Sequence, residues 1–254
     1  MKKLENKTVF ISGGLSEISK ACAIAAAKEG ANIAVADIKS DYLVKAMQEI
    51  KTENPLAIFI DCDVSVFAQV QLAIEETLSV FGTLDVALNN AGIRDESNKV
   101  KNRVDKAWLK VIDVNLNGVL NVMQQELTHM AKQKNGVIVN IASIFGKIGA
   151  TSLSKYSAAK DGVMGLTLTS ALEYATEGIR INAICSGFCD TPSLAKGGIT
   201  GYEEVKQHII NSNPMQLLGK SEQIVSDFIF LSCDDSSFAS GNIIEIGGGG
   251  YQVL

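Results

Sequence analysis

The sequence predicts an α/β fold, a doubly wound parallel sheet with helices on both faces. Short β-branched runs alternate with longer helical patterns along the whole chain, and each connection is long enough to carry a helix. Of the 254 residues, 46% are hydrophobic, as a sheet covered on both sides requires. No Pro/Gly/Ser-rich linker divides the chain, so one domain over 1–254 is expected.

The first strand is expected at 8–11, Thr8-Val9-Phe10-Ile11, and an Ala-rich helix follows at 17–29. Asn32-Ile33-Ala34-Val35-Ala36 forms a second strand and 41–52 a second helix. Further strands fall at 56–60, 84–88, 136–142, 179–184 and 242–246, separated by helices at 66–81, 103–132, 154–177 and 221–233. The Gly-rich and polar segment 187–213, flanked by Pro192 and Pro214, breaks the alternation and reads as a mobile substrate loop. The run Gly247-Gly248-Gly249-Gly250 follows the last strand as a tight turn, as backbone packed closely against a neighbouring subunit, or as a flexible end.

Charge and composition narrow the function. A net charge of −5 with no basic run leaves no footprint for nucleic acid or an anionic membrane, and a small molecule is the expected partner. The basic start lacks an apolar region after it, and no apolar run approaches the roughly 18 residues of a membrane span, so a soluble, cytoplasmic protein is expected. The five cysteines are scattered without a CxxC pair and fit a reducing compartment. With only His129 and His208 to join Cys185 and Cys189, no metal site is expected.

In such a sheet ligands bind beyond the carboxyl ends of the strands, and the first strand-to-helix turn is the expected phosphate site. That turn reads Ser12-Gly13-Gly14-Leu15-Ser16-Glu17-Ile18-Ser19. Asp37, at the end of the second strand, can accept hydrogen bonds from a ribose 2′-hydroxyl and would repel a 2′-phosphate, which favours NAD(H) over NADP(H). It could instead only cap a turn.

Tyr156 and Lys160 stand at i and i+4, on one face of the 154–177 helix, and Ser143 ends the strand before it. A phenol ionises near about 10 in water and serves as a base at neutral pH only where a cation favours the phenolate. Lys160 supplies that cation, and Ser143 can hold the same substrate oxygen by a hydrogen bond. Taken bare, such a pair is often merely exposed.

Here the chain resembles the short-chain dehydrogenase/reductase family over essentially its whole length. The resemblance is carried by Asn89-Asn90-Ala91-Gly92, by Asn115 in Asp113-Val114-Asn115-Leu116, by Ser143, by Tyr156-Ser157-Ala158-Ala159-Lys160 and by Gly178-Ile179-Arg180-Ile181-Asn182-Ala183. It implies a Rossmann-like fold and an NAD(P)-dependent enzyme that moves a hydride between the cofactor and a CH-OH group. It further implies that Ser143, Tyr156 and Lys160 are catalytic, and that Asn115 kinks its helix to hold a water of the proton relay. Lys160 would also hold the nicotinamide ribose, Asp63 and Val64 would contact the adenine, and Asn89, Ala91 and Gly92 would line the cleft. Thr191 would reach the nicotinamide amide or the pyrophosphate. The cofactor-binding set is completed by Ser12, Gly13, Leu15, Glu17 and Ile18 in the first turn, by Ile38 beside Asp37, and by Gly187. A homotetramer or homodimer is implied as well.

The chain departs from the family pattern in three places. At the three glycine positions of the first turn stand Gly13, Glu17 and Ser19. A carboxylate at Glu17 adds bulk and negative charge near another anion. Glu17 could turn outward and cap the helix, leaving binding weakened; it could reshape the turn; or the chain could have lost the cofactor and kept the fold as a binding or regulatory module. Ser186-Gly187 replaces Pro-Gly after the sixth strand, which is expected to loosen the loop, and Gly247 stands where an Asp is common.

The substrate pocket is expected to draw on Arg94, Ile144, Phe145, Phe188, Leu194 and the segment to Met215, a mainly apolar lining. An alcohol or ketone of several kinds fits it, and Arg94 could meet a carboxylate or face solvent. A 3-oxoacyl thioester reductase using NADPH is the alternative; Asp37 and the acidic charge count against it.

Overall fold

The computed structural model describes residues 2–94, 99–102, 104–191 and 203–249. Seven parallel strands form one sheet: β1 (Thr8–Ser12), β2 (Asn32–Asp37), β3 (Ile58–Asp61), β4 (Val86–Asn89), β5 (Gly136–Ser143), β6 (Ile179–Ser186) and β7 (Ile243–Ile246), in the spatial order β3-β2-β1-β4-β5-β6-β7. The chain leaves β1 toward β3 and then returns to place β4 on the other side of β1. The order therefore reverses between β1 and β4, and a crevice opens there at the strand ends.

The helices are α1 (Glu17–Lys28), α2 (Leu43–Glu53), α3 (Phe67–Phe81), α4 (Asp105–Ile112), α5 (Gly118–Gln133), α6 (Ile144–Ile148), α7 (Ser154–Tyr174), α8 (Glu203–Ser212) and α9 (Ser221–Ser232). Alternate residues of each strand feed opposite layers. Val9, Ile11, Ile33 and Val35 pack with α1 and α9, while Phe10, Ala34 and Ala36 pack with α3 and α5. This is why the strands read as unbroken apolar runs. Each fully buried Val, Ile or Phe side chain among them stabilises the sheet by about 1.5–3 kcal/mol.

Two expectations change. The single helix at 103–132 is two helices joined by a π-helical turn at Asp113–Asn117; Arg103 lies outside the described residues. The 187–213 segment contains a helix, α8, and its residues 192–202 lie outside the described ones. At the end of β6, Ser186 is in register with both Ser143 and Ile246, and unlike Pro it keeps a backbone N–H.

Packing within the chain and positive φ values account for Gly248 and Gly249. Asn213 donates from Nδ2 to the Gly247 carbonyl at 2.9 Å, and a Cβ on Gly248, where φ is +61°, would meet Asn213 Oδ1 at 2.6 Å. Gly250 lies outside the described residues.

Candidate active site

The crevice is continuous across the carboxyl edge of the sheet. One end holds Gly13, Asp37, Ile38, Asp63 and Val64; the other holds Tyr156, Lys160, Gly187, Phe188 and Thr191. Ser16, Asn90, Gly92 and Ile93 line both parts.

Gly13 is required by its surroundings. Its φ is +67°, and a Cβ there would meet the Ala91 backbone at 2.5 Å, so the first turn can lie against the segment after β4 only without a side chain. Ser12 is buried and donates to Asn89 Oδ1 at 3.2 Å, which ties the ends of β1 and β4 together. Leu15 serves through its backbone, its N–H donating to Asp37 Oδ2 at 2.9 Å.

The cap of α1 is Ser16, not Glu17: the Ser16 hydroxyl accepts from Ser19 N–H at 3.3 Å. Glu17 occupies the first turn instead, where Lys20 lies 3.6 Å from its carboxylate and 2.7 Å from Glu49. The charge at Glu17 is thus partly balanced from within the helix. No hydrogen-bond partner for the amides of Glu17 and Ile18 occurs among the described residues, and both residues line the cleft. Two open N–H donors at a helix N-terminus fit a pyrophosphate.

Asn90 is a site residue that the sequence reading did not single out. Its Nδ2 donates to Ser16 Oγ at 2.8 Å and to Ser19 Oγ at 2.7 Å. Ser19, fully buried at a glycine position of the family pattern, thereby gains a polar partner that glycine could not offer. Its signal was present in the Asn89-Asn90 pair, but only the fold brings that pair to the first turn.

At the other side of the turn, Asp37 takes two backbone hydrogen bonds, from Leu15 to Oδ2 and from Ile38 to Oδ1 at 2.7 Å. Burial pushes its carboxyl up, and these two amides oppose the rise without cancelling it. Asp37 therefore does fasten the turn, while still lining the cleft together with Ile38. Asp63 accepts from Ser65 N–H at 2.9 Å and Ser65 Oγ at 2.7 Å, which fixes its carboxylate at the rim, next to the buried Val64.

At the far end, Lys160 is buried, donates to the Ile141 carbonyl at 2.7 Å, and sits with Nζ 5.9 Å from the centre of the Tyr156 ring. Burial holds its amine below the ordinary lysine value; the Tyr156 hydroxyl opposes this, and the Arg94 cation adds to the lowering. Arg94 itself lies over the Tyr156 ring, 5.3 Å from guanidinium carbon to ring centre. Tyr156 and Lys160 are thus brought together as their spacing implied.

Ser143, Asn115 and Asn89 stand behind the cleft lining. Ser143 is buried at the end of β5 and caps α6, accepting from Phe145 N–H at 3.3 Å; its neighbour Ala142 lines the cleft. Asn115 is fully buried in the π-helical turn, and its side chain accepts from Ile93 N–H at 2.7 Å and donates to the Ile93 carbonyl at 2.8 Å. π-Helical turns of this kind recur at functional sites. Among the expected pocket residues, Ile144, Phe145 and Phe188 line a smaller recess next to the cleft, with Phe145 and Phe188 edge-to-face at 5.2 Å. Met215 lies in a separate depression beside β7, and Leu194 falls outside the described residues.

Comparison with known proteins places this architecture. The family described as Enoyl-(Acyl carrier protein) reductase matches over residues 13–251. Cyclohexanol dehydrogenase of Acinetobacter sp. (strain SE19) is 37% identical over 246 residues, 97% of this chain and 95% of that protein. A 3-oxoacyl-acyl-carrier-protein reductase of Thermotoga maritima is 36% identical over 252 residues, 97% of this chain and 98% of the relative. Among solved structures, levodione reductase superposes with a TM-score of 0.95 at 33% identity, covering 99% of this chain and 100% of that one. NAD⁺-bound xylitol dehydrogenase superposes with a TM-score of 0.91 at 30% identity, covering 98% and 100%.

The chain belongs to the short-chain dehydrogenase/reductase family. It is an NAD(P)-dependent oxidoreductase that acts on alcohol and carbonyl groups by hydride transfer. No helix among the described residues is long and apolar enough to cross a membrane.

Proposed function

We propose that the chain exchanges a hydride between NAD(H) and a small alcohol/ketone pair, with Tyr156 as general acid/base. The observation that carries this is one crevice with three features in sequence: the Asp37 carboxylate, the open amides of Glu17 and Ile18, and the Tyr156–Lys160 pair. That is the order of ribose, pyrophosphate and reacting end along a dinucleotide. The nucleotide, when bound, supplies or accepts the hydride.

The remaining chemistry belongs to side chains of this protein. Asp37 and Ile38 hold the adenosine ribose, with Asp63 and Val64 at the adenine. Ser12, Gly13 and Leu15 shape the turn that carries the pyrophosphate, and Ala91 and Gly92 form the opposite wall, fixed by Asn89. Gly187 and Thr191 bound the nicotinamide end. During alcohol oxidation the Tyr156 hydroxyl, as its phenolate, takes the proton of the substrate hydroxyl; during carbonyl reduction it returns it. The Lys160 ammonium, held by Ile141, stabilises the phenolate and orients the nicotinamide ribose. The oxygen of Ser143 already accepts from Phe145, so its O–H is left to donate to the substrate oxygen. Asn115 acts through Ile93, holding the loop that carries Gly92 and Arg94.

Preference for NAD(H) rests on Asp37, which would repel a 2′-phosphate; Lys39, two residues beyond, is paired with Asp61. The reading includes a cytoplasmic homotetramer or homodimer, as the family resemblance implies. A second reading, reduction of a 3-oxoacyl thioester with NADPH, is favoured by the likeness to the Thermotoga maritima reductase. Titration of the purified protein with NADH and NADPH, followed by nucleotide fluorescence, separates them. Tighter NADH binding supports the proposal, tighter NADPH binding supports the thioester reading, and no saturable binding of either overturns both.

A further inference from the structure

Arg94 stands apart from the other charged side chains of the crevice. It is exposed, lines the cleft beside Tyr156 and Lys160, and places its guanidinium over the Tyr156 ring. No carboxylate lies within 4.0 Å of it among the described residues. Glu17, the acidic side chain of the same cleft, is engaged by Lys20.

The position of Arg94 is built rather than incidental. The residue before it, Ile93, has both its N–H and its carbonyl clamped by the buried Asn115 side chain. That clamp depends on the π-helical turn at Asp113–Asn117. The backbone leading to Arg94 is therefore fixed to the π-helical turn, which itself packs on α7, the helix of Tyr156, through Leu116 against Gly162. Phe188 also lines the cleft and leads into an apolar recess with Ile144 and Phe145.

We propose that the substrate carries a carboxylate, bound by Arg94, a short carbon spacer away from the alcohol or carbonyl carbon that faces Tyr156. This rests on the dehydrogenase reading and names its substrate class: hydroxy acids and the corresponding oxo acids with an apolar skeleton. A planar guanidinium offers paired N–H donors that match a carboxylate, and one such group meets a single negative charge. A substrate anion also relieves the crowding of two cations, Arg94 and Lys160, around one phenol.

The test compares matched pairs of secondary alcohols with and without a terminal carboxylate: 2-butanol with 3-hydroxybutanoate, 2-pentanol with 4-hydroxypentanoate, and cyclohexanol with 3-hydroxycyclohexanecarboxylate. Each is assayed for kcat/KM with NAD⁺ and with NADP⁺ in wild type, Arg94→Gln and Arg94→Lys, alongside nucleotide binding by fluorescence. In wild type the carboxylated member of at least one pair is expected to be the better substrate. Arg94→Gln is expected to lower the carboxylated-to-neutral ratio about tenfold to hundredfold, mostly through KM, which is the range of a hydrogen bond to a charged group. Arg94→Lys restores part of the ratio. Neutral alcohols turned over as well as their carboxylated partners, or a ratio that Arg94→Gln leaves unchanged, overturns the carboxylate inference and leaves the dehydrogenase reading standing. Nucleotide binding without turnover of any pair also overturns it. Absence of nucleotide binding overturns both.

Discussion

Glu126 on α5 is the least expected side chain in the core, and replacing it with glutamine gives a quantitative test of the structure. It is fully buried, accepts from Asn89 Nδ2 through Oε2 at 3.0 Å, and has no partner at Oε1 among the described residues. Asn89 also donates to Asn140 at 3.1 Å, and Asn140 donates to Thr167 on α7 at 2.9 Å, so the carboxyl belongs to a network beneath the crevice. Burial pushes its carboxyl up from 4.5 to about 8, the Asn89 hydrogen bond opposing the rise. The native state therefore keeps a proton that the unfolded chain releases above about pH 4.5. Rising pH favours the unfolded chain throughout that window, by about 1.4 kcal/mol per unit. Across it, wild type is expected to lose on the order of 4–5 kcal/mol relative to Glu126→Gln, whose amide does not titrate. Urea unfolding of both proteins at pH 5, 6.5 and 8 reads the difference directly. Any fixed cost of the amide shifts the variant equally at every pH. Parallel curves, differing by less than about 1 kcal/mol in slope over the window, would show that the native carboxyl titrates normally and refute the argument.

Three further outcomes follow from the site. Tyr156→Phe is expected to lower kcat by about 10²–10⁴-fold while still binding NADH, because only the proton-transfer group is lost; near-wild-type turnover would remove Tyr156 from the chemistry. Glu17→Gly is expected to tighten NADH binding about twofold to fivefold, consistent with a helix-terminal charge of about 0.3–1 kcal/mol, and the effect should shrink at high salt; unchanged affinity would mean that Lys20 already neutralises Glu17. Asp37→Ser is expected to shift the NADH/NADPH affinity ratio toward NADPH and to lower the melting temperature, since Leu15 loses its acceptor. A shift in stability with no shift in the ratio would make Asp37 a fastener of the turn only.

The strands were legible because both faces of a parallel sheet are buried, which leaves apolar runs such as Thr8–Ser12 and Gly136–Ser143 with no polar face to confuse them. Helix α8 was not, since Glu203–Ser212 sits in a polar and Gly-rich stretch. The break at Asp113–Asn117 was implied only by the family resemblance. It goes with the bond of Asn115 to Ile93, a residue 22 positions away, which no local pattern announces. From sequence, a cap by Glu17 is one of three readings left open; the cap is Ser16, which has the extended backbone and short hydroxyl that a cap uses.

By itself the sequence determined the α/β class, the run of seven strands and the placing of Tyr156 and Lys160 on one helix face, because each of these depends on periodicity or spacing along a few residues. Tertiary structure alone decided what those residues meet. It set Arg94 over Tyr156, Asn90 under Ser16 and Ser19, and Asn89 against Glu126, contacts between segments far apart in the chain. Such contacts join segments that the strand order brings together around the crevice, and no local pattern encodes which side chains face one another there.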